Sequence, residues 1–151
     1  KAAGGGILPV SFVAGRDDVI GTLTPGSEGS TFGGYPLASV VGVYAIKTLV
    51  EEKLAENALA RGKQLMGGLE ILRKEYPDKI QEVRGKGLLT AFEMFDSPHL
   101  DGHHVSIELM NQGIYAKETH HTTIRLAPAL TINNIQIDNL LEGIRKVIQK
   151  L

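Results

Sequence analysis

The chain has no cysteine. A disulfide framework and a thiolate metal site are therefore excluded, and a reducing compartment is permitted. Sixteen lysines and arginines nearly balance 17 aspartates and glutamates, for a formal net charge of -1 with no basic cluster. That balance lacks the electrostatic footprint of a nucleic-acid-binding protein. No uninterrupted apolar run reaches the roughly 20 residues that a membrane-spanning helix requires. We therefore expect a soluble protein with neither nucleic acid nor membrane as partner. There is also no internal repeat and no low-complexity stretch. What the chain does have is 42% hydrophobic residues over 151 positions, enough for one modest domain or for a piece of one plus a small second.

The segment with most chemical content is Glu28-Gly-Ser-Thr-Phe-Gly-Gly-Tyr-Pro-Leu-Ala38. Its hydroxyl pair, Ser30 and Thr31, lies among glycines that let a backbone approach a ligand closely, which is the composition of a phosphate-holding loop. Upstream, Lys1 precedes Ala2-Ala3-Gly4-Gly5-Gly6, an amine beside uncluttered backbone. Together they suggest a phosphate-bearing carbonyl cofactor held by the lysine as an imine. From the residues alone, a solvated lysine and an ordinary Ser/Thr turn before a helix remain the commoner outcomes.

Periodicity organises the rest. Val10 to Ala14 reads as a short buried strand, and Asp17 to Phe32 as loop with one helical turn near Asp18 to Thr22. Pro36 suits the first turn of a helix, and Leu37 to Val50, apolar on nearly every face, predicts a buried one. Leu54 to Tyr76 has an amphipathic stripe, interrupted by Gly62, Gly67 and Gly68, which weaken the helix or admit a close neighbour. After Pro77-Asp78 we expect strands around Leu88 to Phe95, Gly113 to Lys117 and Thr123 to Ala127. A helix near Val105 to Gln112 and a closing helix from about Asn133 to Leu151 complete a small α+β unit.

Five segments carry a family resemblance: Lys1-Ala-Ala-Gly-Gly-Gly-Ile-Leu-Pro-Val-Ser11, the Glu28–Ala38 loop, Arg84-Gly-Lys-Gly-Leu88, Lys117-Glu-Thr-His120 and Ile124-Arg-Leu-Ala-Pro128. In this order and spacing they resemble the back part of a class III pyridoxal-phosphate aminotransferase, most of all the ornithine subgroup, over nearly the whole chain. The likeness implies an α/β protein, with residues 1–77 ending the large cofactor-binding domain of fold type I and 78–151 forming the small C-terminal α+β domain. It implies pyridoxal 5'-phosphate as cofactor, with Lys1 as its lysine and the catalytic amine. It implies Ser30 and Thr31 at the phosphate of the neighbouring subunit in a homodimer with shared active sites. Amino-acid and 2-oxo-acid substrates follow, the terminal amine of ornithine passing to 2-oxoglutarate. The alternatives are acetylornithine or 4-aminobutyrate as donor, or a catalytically silent piece offering a packing surface. The implied compartment is the cytoplasm or the mitochondrial matrix. On the same reading, the sequence before Lys1 supplies an acidic partner for the cofactor ring. Tyr35 departs from the family's usual Asn.

Arg125, flanked by apolar residues, suggests a guanidinium projecting from a structured core, suited to bidentate pairing with a carboxylate or to a structural salt bridge. The resemblance gives it the substrate side: a substrate carboxylate, or a gated pairing with an upstream glutamate. The histidines His99, His103, His104, His120 and His121 match no zinc spacing, so no metal is assigned. Arg84-Gly-Lys-Gly-Leu88 lacks the full phosphate-loop spacing and reads as a turn leading into a strand.

Overall fold

The structure, a computed structural model, describes residues 2–96 and 101–151. It divides into two compact units, Lys1–Lys53 and Leu54–Leu151.

In the first unit the glycine-rich start doubles back on itself. Ala2 and Val10 form a parallel bridge, and the Ala3 amide donates to the Val10 carbonyl at 3.2 Å. Helix α1 is a single turn, Asp17–Ile20, and α2 runs Pro36–Glu51 with proline in its first turn. Gly42 is the one buried residue of α2, because Val10 packs there; a Cβ on Gly42 would sit 3.2 Å from Val10 Cγ1. Two expectations are corrected. Residues 11–14 form no strand: apolar β-formers need a ladder partner, and beyond the Val10 bridge none is present among the described residues, leaving Phe12 68% and Val13 85% exposed. Helix α2 is placed as expected but is largely exposed, with Val40, Val43, Tyr44 and Val50 all open. Its composition marks a surface that packing would cover, and residues 2–35 supply little beyond Val10 to cover it.

The second unit is the α+β arrangement read from the sequence. Strands β1 (Ile80–Lys86), β2 (Leu89–Met94), β3 (Lys117–Thr119) and β4 (Thr123–Leu126) form an antiparallel sheet in the order β1-β2-β4-β3. Helix α3 (Leu54–Glu75) packs on β1 and β2, and α4 (Gly102–Asn111) on β3 and β4. The closing helix α5 (Asn134–Lys150) packs against both of those helices. The core joins Leu65, Leu69 and Leu72 of α3 and Val105 and Leu109 of α4 to Ile137, Ile144 and Ile148 of α5. From the sheet come Val83, Phe92, Met94 and Ile124. This unit begins at Leu54 because α3 contributes core leucines to it.

Two glycines of α3 are close-approach points. A Cβ on Gly62 would lie 2.2 Å from the Gly87 carbonyl oxygen, and one on Gly68 2.2 Å from Leu141 Cδ1, whereas Gly67 faces open space. Gly87 itself, φ +57, opens the two-residue β1–β2 turn, where the first central position favours glycine. At the end of α4, Gly113 at φ +77 lets its amide reach the Met110 carbonyl and the Ile114 amide reach the Leu109 carbonyl, both at 2.9 Å. This is a Schellman closure. It explains why the strand expected over Gly113 to Lys117 starts only at Lys117: the preceding residues are committed to ending α4, with Ile114 turned towards Gly143 of α5. On α3, Asn57 Nδ2 donates to the carbonyls of Leu130 (2.7 Å) and Ile132 (3.0 Å), tying down the loop that leaves β4. A capping box of Asn133 and Gln136 starts α5.

Candidate functional site

Lys1 and His99 lie outside the described residues. The loop with Ser30 and Thr31 is exposed and forms a tight reversal ahead of α2. The Gly33 amide donates to the Ser30 carbonyl and the Tyr35 amide to the Phe32 carbonyl, each at 3.2 Å, and Gly34 takes φ +70. Among the described residues, neither hydroxyl has a hydrogen-bond partner, and the amides of Thr31, Phe32 and Gly34 have no backbone acceptor. Donors are thus grouped on an open turn. Tyr35 occupies the N-cap of α2 and makes no side-chain cap; an Asn there would offer a carbonyl oxygen to the first-turn amides, which a phenol ring does not.

Arg125 sits mid-strand in β4 on the face of the sheet opposite the helices. Cross-strand register puts Arg84, Ala91, Arg125 and Lys117 in one row, and Glu82, Glu93, Thr123 and Thr119 in the next. The core residues Val83, Phe92 and Ile124 fall on the other face. Arg84 makes three hydrogen bonds: Nη1 donates to Glu93 Oε2 (2.5 Å) and Glu82 Oε2 (3.1 Å), and Nη2 to Thr123 Oγ1 (3.2 Å). The hydrogen bond to Glu93, aided by the charge of Glu82, raises its pKa further. Arg84-Gly-Lys-Gly-Leu88 is therefore a hairpin whose arginine is structural. Arg125 makes no ion pair or side-chain hydrogen bond among the described residues and is exposed.

His103, His120 and His121 line one pocket with Asp101, Glu118 and Thr119. Among the described residues no group of three or more His, Cys, Asp or Glu side chains could hold a metal ion. His104 gives only its backbone amide to the Asp101 cap of α4 (2.7 Å), and His120 and His121 form the β3–β4 turn at φ +51 and +64. His103 Nδ1 lies 3.9 Å from Glu118 Oε1. The Glu118 carboxyl is held below its ordinary pKa mainly by its own backbone amide, with Lys117 and His103 adding attraction and partial burial opposing them. Lys117 is the cross-strand partner of Arg125; in the sequence it stands only within the Lys117–His120 motif, and the hairpin that pairs the two is the signal that singles it out.

Residues 1–148 match the family described as Aminotransferase class-III. The chain belongs to the class III aminotransferases. It is 40% identical over 152 residues to the mitochondrial ornithine aminotransferase of Arabidopsis thaliana, an alignment covering 99% of this chain and 32% of that protein. A crystal structure of acetylornithine aminotransferase from Elizabethkingia anophelis superposes with a TM-score of 0.92 at 38% identity, covering 100% of this chain and 38% of that one. An ornithine aminotransferase structure from Toxoplasma gondii, described with partial occupancy of PLP at its active site, gives a TM-score of 0.87 at 38% identity, covering 99% and 35%. This class III aminotransferase chain thus spans about a third of the lengths of such relatives, and its α/β fold is that of a stretch of the fold type I aminotransferases.

Proposed function

We propose that the chain is the C-terminal portion of a pyridoxal-phosphate-dependent aminotransferase that moves the terminal amino group of ornithine to 2-oxoglutarate. The observation that carries this is 40% identity to an ornithine aminotransferase across 99% of the chain. On this reading residues 1–77 end the large cofactor-binding domain together with the interdomain helices, α3 among them, and 78–151 form the small C-terminal domain. The phosphate loop serves the neighbouring subunit of a homodimer. The compartment is the cytoplasm or, as in the name of the Arabidopsis relative, the mitochondrion. No helix among the described residues is long and apolar enough to cross a membrane.

The turn at 30–34 fits the cofactor's phosphate: exposed hydroxyls and amides without backbone acceptors among the described residues can together bind a dianion. Ser30 and Thr31 would hold that group in the neighbouring subunit's site, and Lys1 the carbonyl end of the cofactor in its own. When bound, pyridoxal phosphate supplies an electron sink for the substrate carbon. The Lys1 amine, once free, moves the proton at that carbon. Arg125, on the open sheet face, takes a substrate carboxylate with its planar fork.

A second reading keeps the chemistry and changes the donor to acetylornithine, favoured by the 0.92 TM-score to an acetylornithine aminotransferase. Steady-state turnover of the full-length enzyme with ornithine, acetylornithine and 4-aminobutyrate against 2-oxoglutarate separates the readings. Ornithine is expected to have the highest kcat/KM; equal or better turnover of either rival ends the ornithine assignment. Lys1→Ala should abolish both turnover and the cofactor's lysine-linked visible absorbance.

A further inference from the structure

The open face of the sheet carries an uneven charge distribution. Arg84, Lys86, Lys117 and Arg125 project from it, against only Glu82 and Glu93 among the described residues, and both acids are bound to Arg84. At the other end of the row, Lys117 and Arg125 are directly opposed across β3 and β4. Cβ atoms of such a pair lie about 5 Å apart, and like charges so placed destabilise a sheet. Neither has an ion-pair partner among the described residues; the nearest acid in sequence, Glu118, pairs across to Ile124 and so lies on the helix face. A like-charge pair of this kind, on a flat open surface beside small Ala91, is the arrangement that a carboxylate would reconcile, since one anion can interact with both cations.

We propose that Lys117 is a positioning residue for the carboxylate that Arg125 binds: its ammonium supplies a second positive charge which draws the anion to the β3 side of the guanidinium. The ligand is a carboxylate of the dicarboxylic 2-oxo-acid substrate. An acidic side chain from elsewhere in the longer protein offers the same chemistry and is the rival source. The inference deepens the proposed role of Arg125 and rests on it.

The test uses the full-length enzyme with Lys117→Gln, Lys117→Arg and Arg125→Gln, and reads calorimetric binding of the inert dicarboxylate glutarate, KM and kcat for 2-oxoglutarate, and Tm. Lys117→Gln is expected to weaken glutarate binding and raise KM by about fivefold with kcat unchanged, the scale of one partly screened cation. Lys117→Arg should restore binding to within about twofold of wild type, since it keeps the charge. Raising salt from about 0.05 to about 0.5 M should weaken wild type more than Lys117→Gln, because the lost term is the screened one. Tm of Lys117→Gln should hold or rise as the opposition is relieved. Unchanged glutarate binding with a lowered Tm would overturn the proposal and assign Lys117 to an internal acid instead. If Arg125→Gln leaves binding intact, the carboxylate reading of Arg125 itself fails; if Arg125→Gln abolishes binding while Lys117→Gln does nothing, only the role of Lys117 fails.

Discussion

Replacing each glycine of α3 by alanine should give three different answers from one chemical change. At Gly62 the new methyl would sit 2.2 Å from the Gly87 oxygen, 2.4 Å from its carbonyl carbon and 2.6 Å from its Cα. All three are backbone atoms of a two-residue turn, so the helix and the hairpin must part by about 1 Å to restore ordinary contact. Buried Leu65 and Leu88, on the helix and in the turn, would lose packing with that shift. Overpacking of this kind costs about 1–3 kcal/mol, and the gain in helix propensity returns about 1 kcal/mol. Because the obstacle is backbone, the upper part of the range applies, for a net loss of about 2 kcal/mol. At Gly67 nothing among the described residues lies within 4 Å of the added Cβ, leaving the propensity gain alone, about 0.5–1 kcal/mol. Gly68→Ala should fall between, since it meets the mobile end of Leu141. Urea unfolding monitored by circular dichroism, with m-values checked for constancy, gives the order directly. Finding Gly62→Ala as stable as Gly67→Ala would refute the claim that α3 and the hairpin touch through backbone.

Other outcomes follow from single groups. Thr90, 2% exposed, has a buried Oγ1 with no hydrogen-bond partner among the described residues, so Thr90→Val should stabilise by about 1 kcal/mol; a loss of Tm would mean the hydroxyl has an acceptor. Tyr35→Asn gives α2 the cap it lacks and should stabilise by about 1 kcal/mol, visible as a higher Tm. An unchanged Tm would show that the first-turn amides already have partners. Glu118 has a folded-state pKa below its ordinary 4.5, so its contribution is complete above that value and is lost as pH falls through the folded one. Below pH 4.5 the stability of Glu118→Gln should therefore decline less steeply than that of wild type, and parallel acid limbs would contradict the assignment.

Helices α3 and α5 were legible because each states its own period. Leu65, Leu69 and Leu72 of α3 and Ile137, Ile144 and Ile148 of α5 recur on one face and are buried, and Pro36 marks the start of α2. Strand β1 was missed because a register shift between Ile80 and Glu82 breaks the alternation, leaving an apolar spacing of three between Ile80 and Val83 in an otherwise polar run. Val10 to Ala14 failed in the opposite way, since β-propensity reports fitness for a sheet and says nothing of whether a neighbouring strand is there. For the candidate site, the Ser30–Thr31 turn could be read locally because its glycines and hydroxyls are contiguous. The pairing of Lys117 with Arg125 could not, because it depends on the register of a hairpin closed by two histidines in left-handed conformations, residues that give no ordinary turn signal.

Asn57 shows how steadiness at one edge of a sheet can be set from another element. A single nitrogen donating twice, to carbonyls on the strap that carries the chain from β4 into α5, anchors the strand on which Arg125 is mounted. Only a side chain offering two protons from one atom at that reach can do this; an aspartate of the same shape would confront both carbonyls with lone pairs. The aim of the guanidinium thus has its footing in an amide far back along the polypeptide, and exchanging that amide for an acid would slacken the mount while leaving the arginine itself in place.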